Sequence, residues 1–418
     1  MRRLIYIFII GLLLCSYTWA DGSRYASNSL LSEGKWVKIR VDKTGIYKLS
    51  YADLRNMGFS DPSKVSVHGY GGWPLDEDFS KEYIDDVPST PVWRGSDYLL
   101  FYGKGPVKWE YDSSSQTFVH TNNPYSLYGY YFVTDATPTN DMTSVAQASG
   151  ATNRITTYDD YLVHEQELVS LAKSGRELYG EDFSGATPRT LSTFSSIPGI
   201  TNEDAKVTMS FVSKVTSGTG VASLSINQSN VLDVSIRSNR EEYVKALEGV
   251  STAVWKGEKS EKNSVVVSYN SASHNNVRLN YVRLHFKRTL QPYGAYTFFR
   301  SIASIGNVSR FVVQGANANT LVFDVTDAQR VRLMETELNG SELTFSIPAG
   351  TLREFVLVRT DQSFISPEVV GEVENQNLHA LEQKDMIIIA AKAFQTQAER
   401  LAEEHRATDG LTVEVVDP

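Results

Sequence analysis

The sequence predicts a mainly β protein whose last residues form the beginning of an α/β fold. Short runs of alternating apolar and polar residues, separated by turn residues, recur from Trp36 to Val358, as in β-sandwiches and jelly rolls. The 22 tyrosines agree with this prediction, because aromatic residues favour strands. Only after Lys384 does the pattern change to a strand, a helix and a second strand. At 418 residues, we expect two to four domains.

The first 20 residues predict an export signal. Arg2 and Arg3 precede the apolar run Leu4–Leu14, and small residues around Ala20 offer a cleavage site. An uncleaved membrane anchor is one alternative, although the run is shorter than the ~20 residues that a spanning helix needs. A lipoprotein acylated at Cys15 is another, although Leu14 occupies the position where a small residue is expected.

Charge and cysteine content exclude several classes of function. The net charge of −9 becomes −9 − 2 = −11 when the signal and its two arginines are removed, and no basic stripe is present. Nucleic acid is therefore not an expected partner. The single cysteine, Cys15, lies in the signal, so the mature chain has no disulfide, no cysteine zinc ligand and no thiol nucleophile. We expect no cofactor and no metal.

An N-terminal β-rich domain is predicted over residues 21–139. Trp36–Val41 alternates as a half-buried strand and returns through a turn to Ile46–Leu49, which predicts a hairpin. Ser50 then offers an N-cap for a short helix over Tyr51–Asn56.

Two glycine-rich segments in this domain follow predicted strands. Lys64–His68 runs into Gly69–Gly72, and Asp97–Tyr102 runs into Gly103–Pro106. A phosphate-binding loop would need a helix to begin directly after the glycines. No such helix is predicted here, so tight β-turns are the better interpretation.

Three further regions complete the predicted organisation. Residues 140–153 are small and polar and predict a linker, residues 154–290 a β-sandwich-like domain, and residues 291–378 a second β-rich domain. The strands predicted there are Val207–Val212, Ala222–Ile226, Val231–Ile236, Ser264–Tyr269, Val277–Phe286, Phe311–Val313, Thr320–Val325, Leu343–Ile347 and Arg353–Val358.

The β-domains present no specific catalytic motif. His164–Glu167 resembles a metal motif, but the second histidine one helical turn away is absent. His274 and His285 are too distant in sequence to form a local pair. Gly175–Phe183 mixes arginine, acids and aromatics, and it is either a partner or cation site or a surface loop packed by two of its aromatic residues. We therefore predict no catalytic, cofactor or metal residue.

The tail predicts one complete βαβ unit. Met386–Ala390 is a continuous apolar run, and the following apolar residues fall at helical spacing before the second strand, Leu411–Val416. A single unit cannot cover both faces of two parallel strands. We therefore expect residues 379–418 to be the start of an incomplete domain, with more strands and helices after Pro418.

Several segments, taken in order, carry a resemblance to a known family. They are Thr44–Leu49, Trp93–Gly105, Asn123–Ser126, Ser174–Glu177, Tyr179–Glu181 and Asn375–His379 with the tail. Over nearly the whole mature chain they resemble the type IX secretion sortases of the gingipain-type cysteine peptidase family. The last segment resembles the start of the peptidase domain.

This resemblance implies a caspase-like peptidase domain with a histidine–cysteine pair, exported to the outer membrane or cell surface. It implies that C-terminal signals are removed from secreted cargo proteins and that the new carboxyl end is joined to an amine, with surface lipopolysaccharide as an acceptor. It also implies an outer-membrane barrel of the type IX system as a partner. Both catalytic residues are expected beyond Pro418, so the chain itself is expected to be inactive. His379 and His405 are not expected to replace them.

Two other functions stay open. A stand-alone surface binding protein, with a carbohydrate or adhesin site on its β-sandwiches, would make the tail a vestige. A glycoside hydrolase would place two carboxylates across a cleft.

Overall fold

A computed structural model describes residues 25–417, except 79, 82–83, 174, 186 and 272–273. The chain divides into two compact units, one of residues 35–373 and one that combines the residues up to 34 with those from 374 onward. The predicted export signal, residues 1–20, lies outside the described residues. Within the described part, every helix is too short or too polar to cross a bilayer.

The unit of residues 35–373 is built mainly of strands, which confirms the predicted fold class. In chain order they are β1 (Trp36–Val41), β2 (Gly45–Ser50), β3 (Ser66–Gly71), β4 (Ser89–Thr90), β5 (Val92–Arg94), β6 (Tyr98–Gly103), β7 (Val107–Asp112), β8 (Thr117–Asn122), β9 (Gly129–Thr134), β10 (Ser144–Val145), β11 (Asn153–Ile155), β12 (Thr157–Glu165), β13 (Arg189–Thr190), β14 (Ala205–Val215), β15 (Thr219–Ile226), β16 (Ser229–Arg237), β17 (Leu247–Trp255), β18 (Val265–Asn270), β19 (His274–Thr289), β20 (Tyr296–Arg300), β21 (Ser309–Val313), β22 (Thr320–Asp324), β23 (Arg332–Met334), β24 (Glu337–Asn339), β25 (Glu342–Ile347), β26 (Glu354–Arg359) and β27 (Glu368–Val373). The helical segments of this unit are the α-helix α1 (Tyr51–Asn56) and 3-10 helices at Pro62–Lys64, Ser192–Phe194 and Ile302–Ser304.

The first part of this unit packs two small sheets around one core. A five-stranded sheet has the order β27-β1-β9-β3-β4, and a three-stranded sheet has the order β2-β6-β5. Buried side chains such as Ile39, Leu54, Phe59 and Phe101 fill the space between them. Strand β27 comes from residues 368–373, so a distant segment of the chain returns to pair with β1 at the edge of this sheet.

Helix α1 has the cap that the sequence predicts. The Ser50 hydroxyl accepts from the backbone N–H of Asp53, and the Asp53 carboxylate accepts from the backbone N–H of Ser50. This reciprocal pair satisfies two N–H groups that the first turn of a helix leaves without partners. The cap fixes where β2 ends and α1 begins.

The middle of the unit is a sandwich. One layer is part of a nine-stranded sheet with the order β10-β23-β22-β26-β20-β12-β19-β14-β17, and the other is a four-stranded sheet with the order β13-β18-β15-β16. Alternate residues of β14, β15 and β19 point inward, so Phe211, Leu224 and Leu284 are buried between the layers.

The nine-stranded sheet continues across residue 290 into the next region. Its strands β20, β22 and β26 pack against a four-stranded sheet with the order β11-β21-β25-β24. Phe299, Phe311, Phe345 and Phe355 form the centre of that core. The domain borders predicted from the sequence at 139, 153, 290 and 378 stay predictions, although one sheet draws strands from both sides of residue 290.

The second unit contains a βαβ arrangement. Strand β28 (Met386–Ile389) runs parallel to β29 (Val413–Val416), and α2 (Gln395–Glu404) connects them. Short 3-10 helices lie at Leu30–Ser32, Leu378–Ala380 and Lys392–Phe394, and a wider helical turn at His405–Asp409 follows α2. The predicted βαβ unit is therefore confirmed.

Candidate functional site

The βαβ unit is the first candidate, because open parallel sheets place ligands at the carboxyl ends of their strands. Met386 lies opposite Val413 in the parallel register. At the carboxyl end of β28, the Ala390 N–H donates to the Val416 carbonyl, and the Gln395 amide donates to the Ala390 carbonyl. These bonds hold the strand-to-helix turn in place. At this end, the described residues offer no thiol or imidazole.

One face of the βαβ unit is covered and the other is not. Ala398 and Ala402 of α2 are buried. In contrast, Ile387 and Ile389 of β28 are 59% and 70% exposed, and Phe394 is exposed as well. Isoleucines on a parallel strand are normally buried on both faces. The exposed isoleucines therefore form an apolar face that suits a further packing layer.

The βαβ region contains two histidines, His379 and His405. His405 lies just after α2, and its Nδ1 is 2.6 Å from the Asp409 carboxylate. A histidine at a helix C-terminus also interacts favourably with the helix dipole. His379 lies in the 3-10 helix that precedes β28. His405 is thus paired with a carboxylate.

The His164–Glu167 motif starts on strand β12, which ends at Glu165, and does not lie on a helix. His164 Nε2 is 2.7 Å from the Glu181 carboxylate, and its Nδ1 is 2.9 Å from the Thr193 hydroxyl. Glu165 pairs with a different histidine, His120. Among the described residues, no cluster of three histidines or acids could hold a metal ion.

The segment Gly175–Phe183 is anchored at its end and exposed at its start. Phe183 is buried in the sandwich core, whereas Arg176 reaches the Glu77 carboxylate and the Tyr125 hydroxyl. Glu181 accepts from His164, which lowers the pKa of that carboxyl although burial alone raises it. This agrees with the interpretation as a surface loop packed by its aromatic residues.

A docked hairpin forms a polar and aromatic cluster that the sequence did not reveal. Strands β7 and β8 pair only with each other among the described strands. Trp109 stacks on Tyr161 of β12 with centroids 4.0 Å apart, and His120 Nε2 is 2.6 Å from the Glu165 carboxylate. Arg283 approaches Nδ1 of the same histidine at 3.4 Å. The turn residues Asp112–Gln116 between two alternating runs are the signal that could have predicted this hairpin.

A buried charge network lies beside that hairpin. Asp159 accepts from His285 at 3.1 Å and from the backbone N–H of Ile302 at 2.7 Å. Burial raises the pKa of Asp159, but these bonds and the nearby Lys287 ammonium outweigh it and keep the pKa below its usual value. The adjacent Arg300 is fully buried and pairs with Glu354. These contacts link neighbouring strands, although the buried Nδ1 of His285 has no hydrogen-bond partner among the described residues.

Lys104 is a buried amine between aromatic rings. The residue is 2% exposed, and its Nζ lies 3.7 Å from the Tyr70 ring centroid and 4.8 Å from that of Trp73. Burial lowers the pKa of Lys104 to about 7. Rings stabilise the cation by cation–π attraction, but less well than water does.

The glycine-rich segments around Lys104 are close-packed, but they are not the tight β-turns that the sequence predicts: β3 extends to Gly71, β6 extends to Gly103, and the chain bends only after these residues. The Gly72 N–H donates to the Lys104 carbonyl at 2.9 Å. A Cβ added at Gly72 would lie 2.7 Å from the carbonyl carbon of Gly105. The glycines are therefore required by the approach of two backbones, and neither segment leads into a helix N-terminus.

Comparisons with known proteins agree with the resemblance. Residues 379–418 match the model of peptidase family C25. The crystal structure of dimeric latent PorU from Porphyromonas gingivalis is similar to this chain, with a TM-score of 0.87 and 32% sequence identity over 94% of this chain and 38% of that one. No curated protein matches. The chain thus spans about two fifths of the length of that PorU.

Proposed function

We propose that this chain, which is related to PorU and to the gingipain-type cysteine peptidases of family C25, is the cargo-handling part of a secreted sortase. The intact protein would remove C-terminal secretion signals from type IX cargo and attach the cargo to the cell surface. The chain would position the cargo, and a peptidase domain that begins at β28 would cut it.

The observation that carries this proposal is the coincidence of a family match with a fold element. The match to family C25 covers residues 379–418, and the parallel pair β28–β29 with its crossover helix occupies that range. The exposed isoleucines of β28 offer a surface on which further elements of an α/β domain can pack.

Such a sortase reacts through a cysteine and a histidine, and under this proposal neither of them is among the described residues. A cysteine thiolate attacks the carbonyl of the cargo peptide bond, and a histidine gives a proton to the leaving amine. The resulting thioester is then resolved by water or by an acceptor amine, such as one on lipopolysaccharide. Cys15 is the one cysteine of the sequence and lies in the predicted signal. We therefore place the catalytic pair beyond Pro418.

The same proposal gives the location and partners. The protein would be exported by its signal, lie at the outer membrane or cell surface, and dock to a barrel protein of the type IX system. Its cargo would be secreted proteins with C-terminal signals.

Complementation in cells tests this function. Deletion of the gene should leave cargo with its C-terminal signal attached, as measured by the intact mass of secreted cargo. The undisrupted gene should restore the shorter mass, and residues 1–418 alone should not. Normal cargo masses in the deletion strain would contradict the proposal.

A further inference from the structure

One edge of the five-stranded sheet is open. Strand β27 is terminal in that sheet and pairs with β1 alone among the described strands. Its Val369 and Val370 are 48% and 50% exposed. A register shift in the β1–β27 ladder makes Val370 the extra residue. Open edges present backbone N–H and C=O groups that can pair with another extended chain.

A cleft lies directly beside this edge. Its volume of about 440 Å³ falls in the range of roughly 300–1,000 Å³ that is typical of ligand pockets. The floor is apolar, with Leu49 of β2 and Met57 after α1, and Val369 of β27 forms part of one side. An occupant of the cleft would therefore lie along β27 and against the hydrophobic core.

The charge of the cleft lining indicates which charge its occupant carries. Its complete lining is Val37, Leu49, Asp53, Asn56, Met57, Ser366, Pro367, Val369, Gly371 and Glu372. This set contains two carboxylates and no lysine or arginine, although Asp53 also caps α1 and Glu372 pairs with Lys35 outside the lining. The whole chain is also acidic, with a net charge of −9. A basic side chain on the occupant would be attracted to this rim, and an acidic one would be repelled.

We propose that the cleft between α1 and β27 binds an extended segment of a partner protein, which adds a strand to β27, places apolar side chains against Leu49 and Met57, and carries a lysine or arginine toward Asp53 and Glu372. This is β-strand addition, in which the backbone supplies binding energy and alternate side chains supply specificity. Under the proposed function the segment belongs to cargo, but the site does not depend on peptidase activity.

Peptide binding to the purified chain tests the site. The probe is a fluorescein-labelled eight-residue peptide of alternating valine and threonine with a lysine at each end. The comparison peptide has glutamate in place of lysine. Fluorescence anisotropy should give a Kd at least tenfold lower for the lysine peptide, and added salt should reduce the difference because it screens exposed charges.

Two pairs of variants localise the binding. Asn56→Trp places a ring in the cleft and should weaken binding of the lysine peptide at least tenfold, whereas Arg55→Trp places the same ring outside the lining and should change Kd less than threefold. Glu372→Lys, in the cleft lining, should weaken binding at least fivefold. Its control is Glu368→Lys on the same strand, since both glutamates form exposed ion pairs and only Glu372 lines the cleft.

Any of three results would overturn the proposal: an absence of binding up to millimolar peptide, equal affinity for both peptides, or binding that Asn56→Trp does not weaken. A dimer in sedimentation experiments that Asn56→Trp abolishes would show that a second copy of the chain occupies the cleft. Peptide binding together with normal cargo masses in the deletion strain would retain this site and reject the sortase function.

Discussion

Trp109 and Tyr161 stack with ring centroids 4.0 Å apart and an interplanar angle of 18°, and this contact joins the β7–β8 hairpin to the nine-stranded sheet. No backbone ladder links the hairpin to that sheet among the described strands. The hairpin is therefore held by side chains, chiefly this ring pair, the His120–Glu165 pair and the Lys206 ammonium, which donates to the Ser115 carbonyl.

Loss of the Trp109 ring should release the hairpin. Trp109→Ala should lower the free energy of unfolding by about 2 kcal/mol, because the indole is only partly buried and full burial is worth about 3–5 kcal/mol. Chymotrypsin should then cut at Tyr111 and Phe118 faster than in the unchanged protein. Trp109→Phe should retain most of the protection, and Val119→Ala, on an exposed position of the same hairpin, should change neither measurement. Unchanged proteolysis of Trp109→Ala would show that the hairpin is held by other contacts.

The buried carboxylate of Asp159 should stabilise the fold at neutral pH and not in acid. Its folded pKa is lowered, and an unfolded aspartate has a pKa of about 3.9. The stabilisation is therefore present above about pH 4 and is lost as the pH falls through the folded pKa. Asp159→Asn should cost about 3 kcal/mol at pH 7, and the cost should shrink at pH 3. Urea unfolding at both pH values measures this, with the exposed Asp135→Asn as control. An equal loss of stability in Asp159→Asn at pH 7 and at pH 3 would contradict the lowered pKa of Asp159.

Two glycine substitutions should differ sharply in their effects. Gly72→Ala forces a Cβ to 2.7 Å from the backbone of Gly105, whereas Gly350→Ala meets nothing within 4 Å. Overpacking of this kind costs about 1–3 kcal/mol, and an open surface position changes stability by no more than about 0.5 kcal/mol. The denaturant midpoint of each variant checks the difference. Equal midpoints would mean that the two glycine-rich segments can move apart without a loss of stability.

The buried amine of Lys104 should make stability rise with pH. Its folded pKa is about 7, below the unfolded value of about 10.4. The cost of burying the ammonium is therefore complete below pH 7 and disappears as the pH approaches 10. Lys104→Met should be more stable than the unchanged protein at pH 6, by on the order of 2–4 kcal/mol, and equally stable near pH 10. Lys64→Met, on an exposed side chain, should show no such trend. If the difference in stability between Lys104→Met and the unchanged protein were the same at pH 6 and at pH 10, the Lys104 ammonium would not be the source of the pH dependence.

Local patterns in the sequence were sufficient for most individual elements. The predicted strand Trp36–Val41 is β1, and the predicted helix is α1 with its Ser50 cap. These elements depend on alternation, turn residues and capping, which act between neighbours in the chain. The parallel βαβ unit was predictable for the same reason, and the relation to PorU and family C25 that it suggested is confirmed.

Long-range pairing was not predictable from these patterns. Strand β27 pairs with β1 although more than 300 residues separate them, and no local signal specifies that return. The β7–β8 hairpin has a local signal in its turn residues, but its docking on β12 through Trp109 and Tyr161 has none. The His120–Glu165 and His285–Asp159 pairs depend on which strands the fold places side by side. The absence of a catalytic pair among the predicted site residues stays a prediction.

Turnover of a cargo peptide by the purified chain tests the central claim most directly. A peptide that spans the cleavage site of a type IX C-terminal signal is incubated with residues 21–418, and its mass is followed in the presence of reducing agent and an acceptor amine. The account predicts that the mass does not change. Under the proposed function, a protein that continued past Pro418 and carried the catalytic thiol would convert the peptide to a shorter acid or an amine-linked product. Cleavage by residues 21–418 alone, which hold no cysteine, would contradict the account.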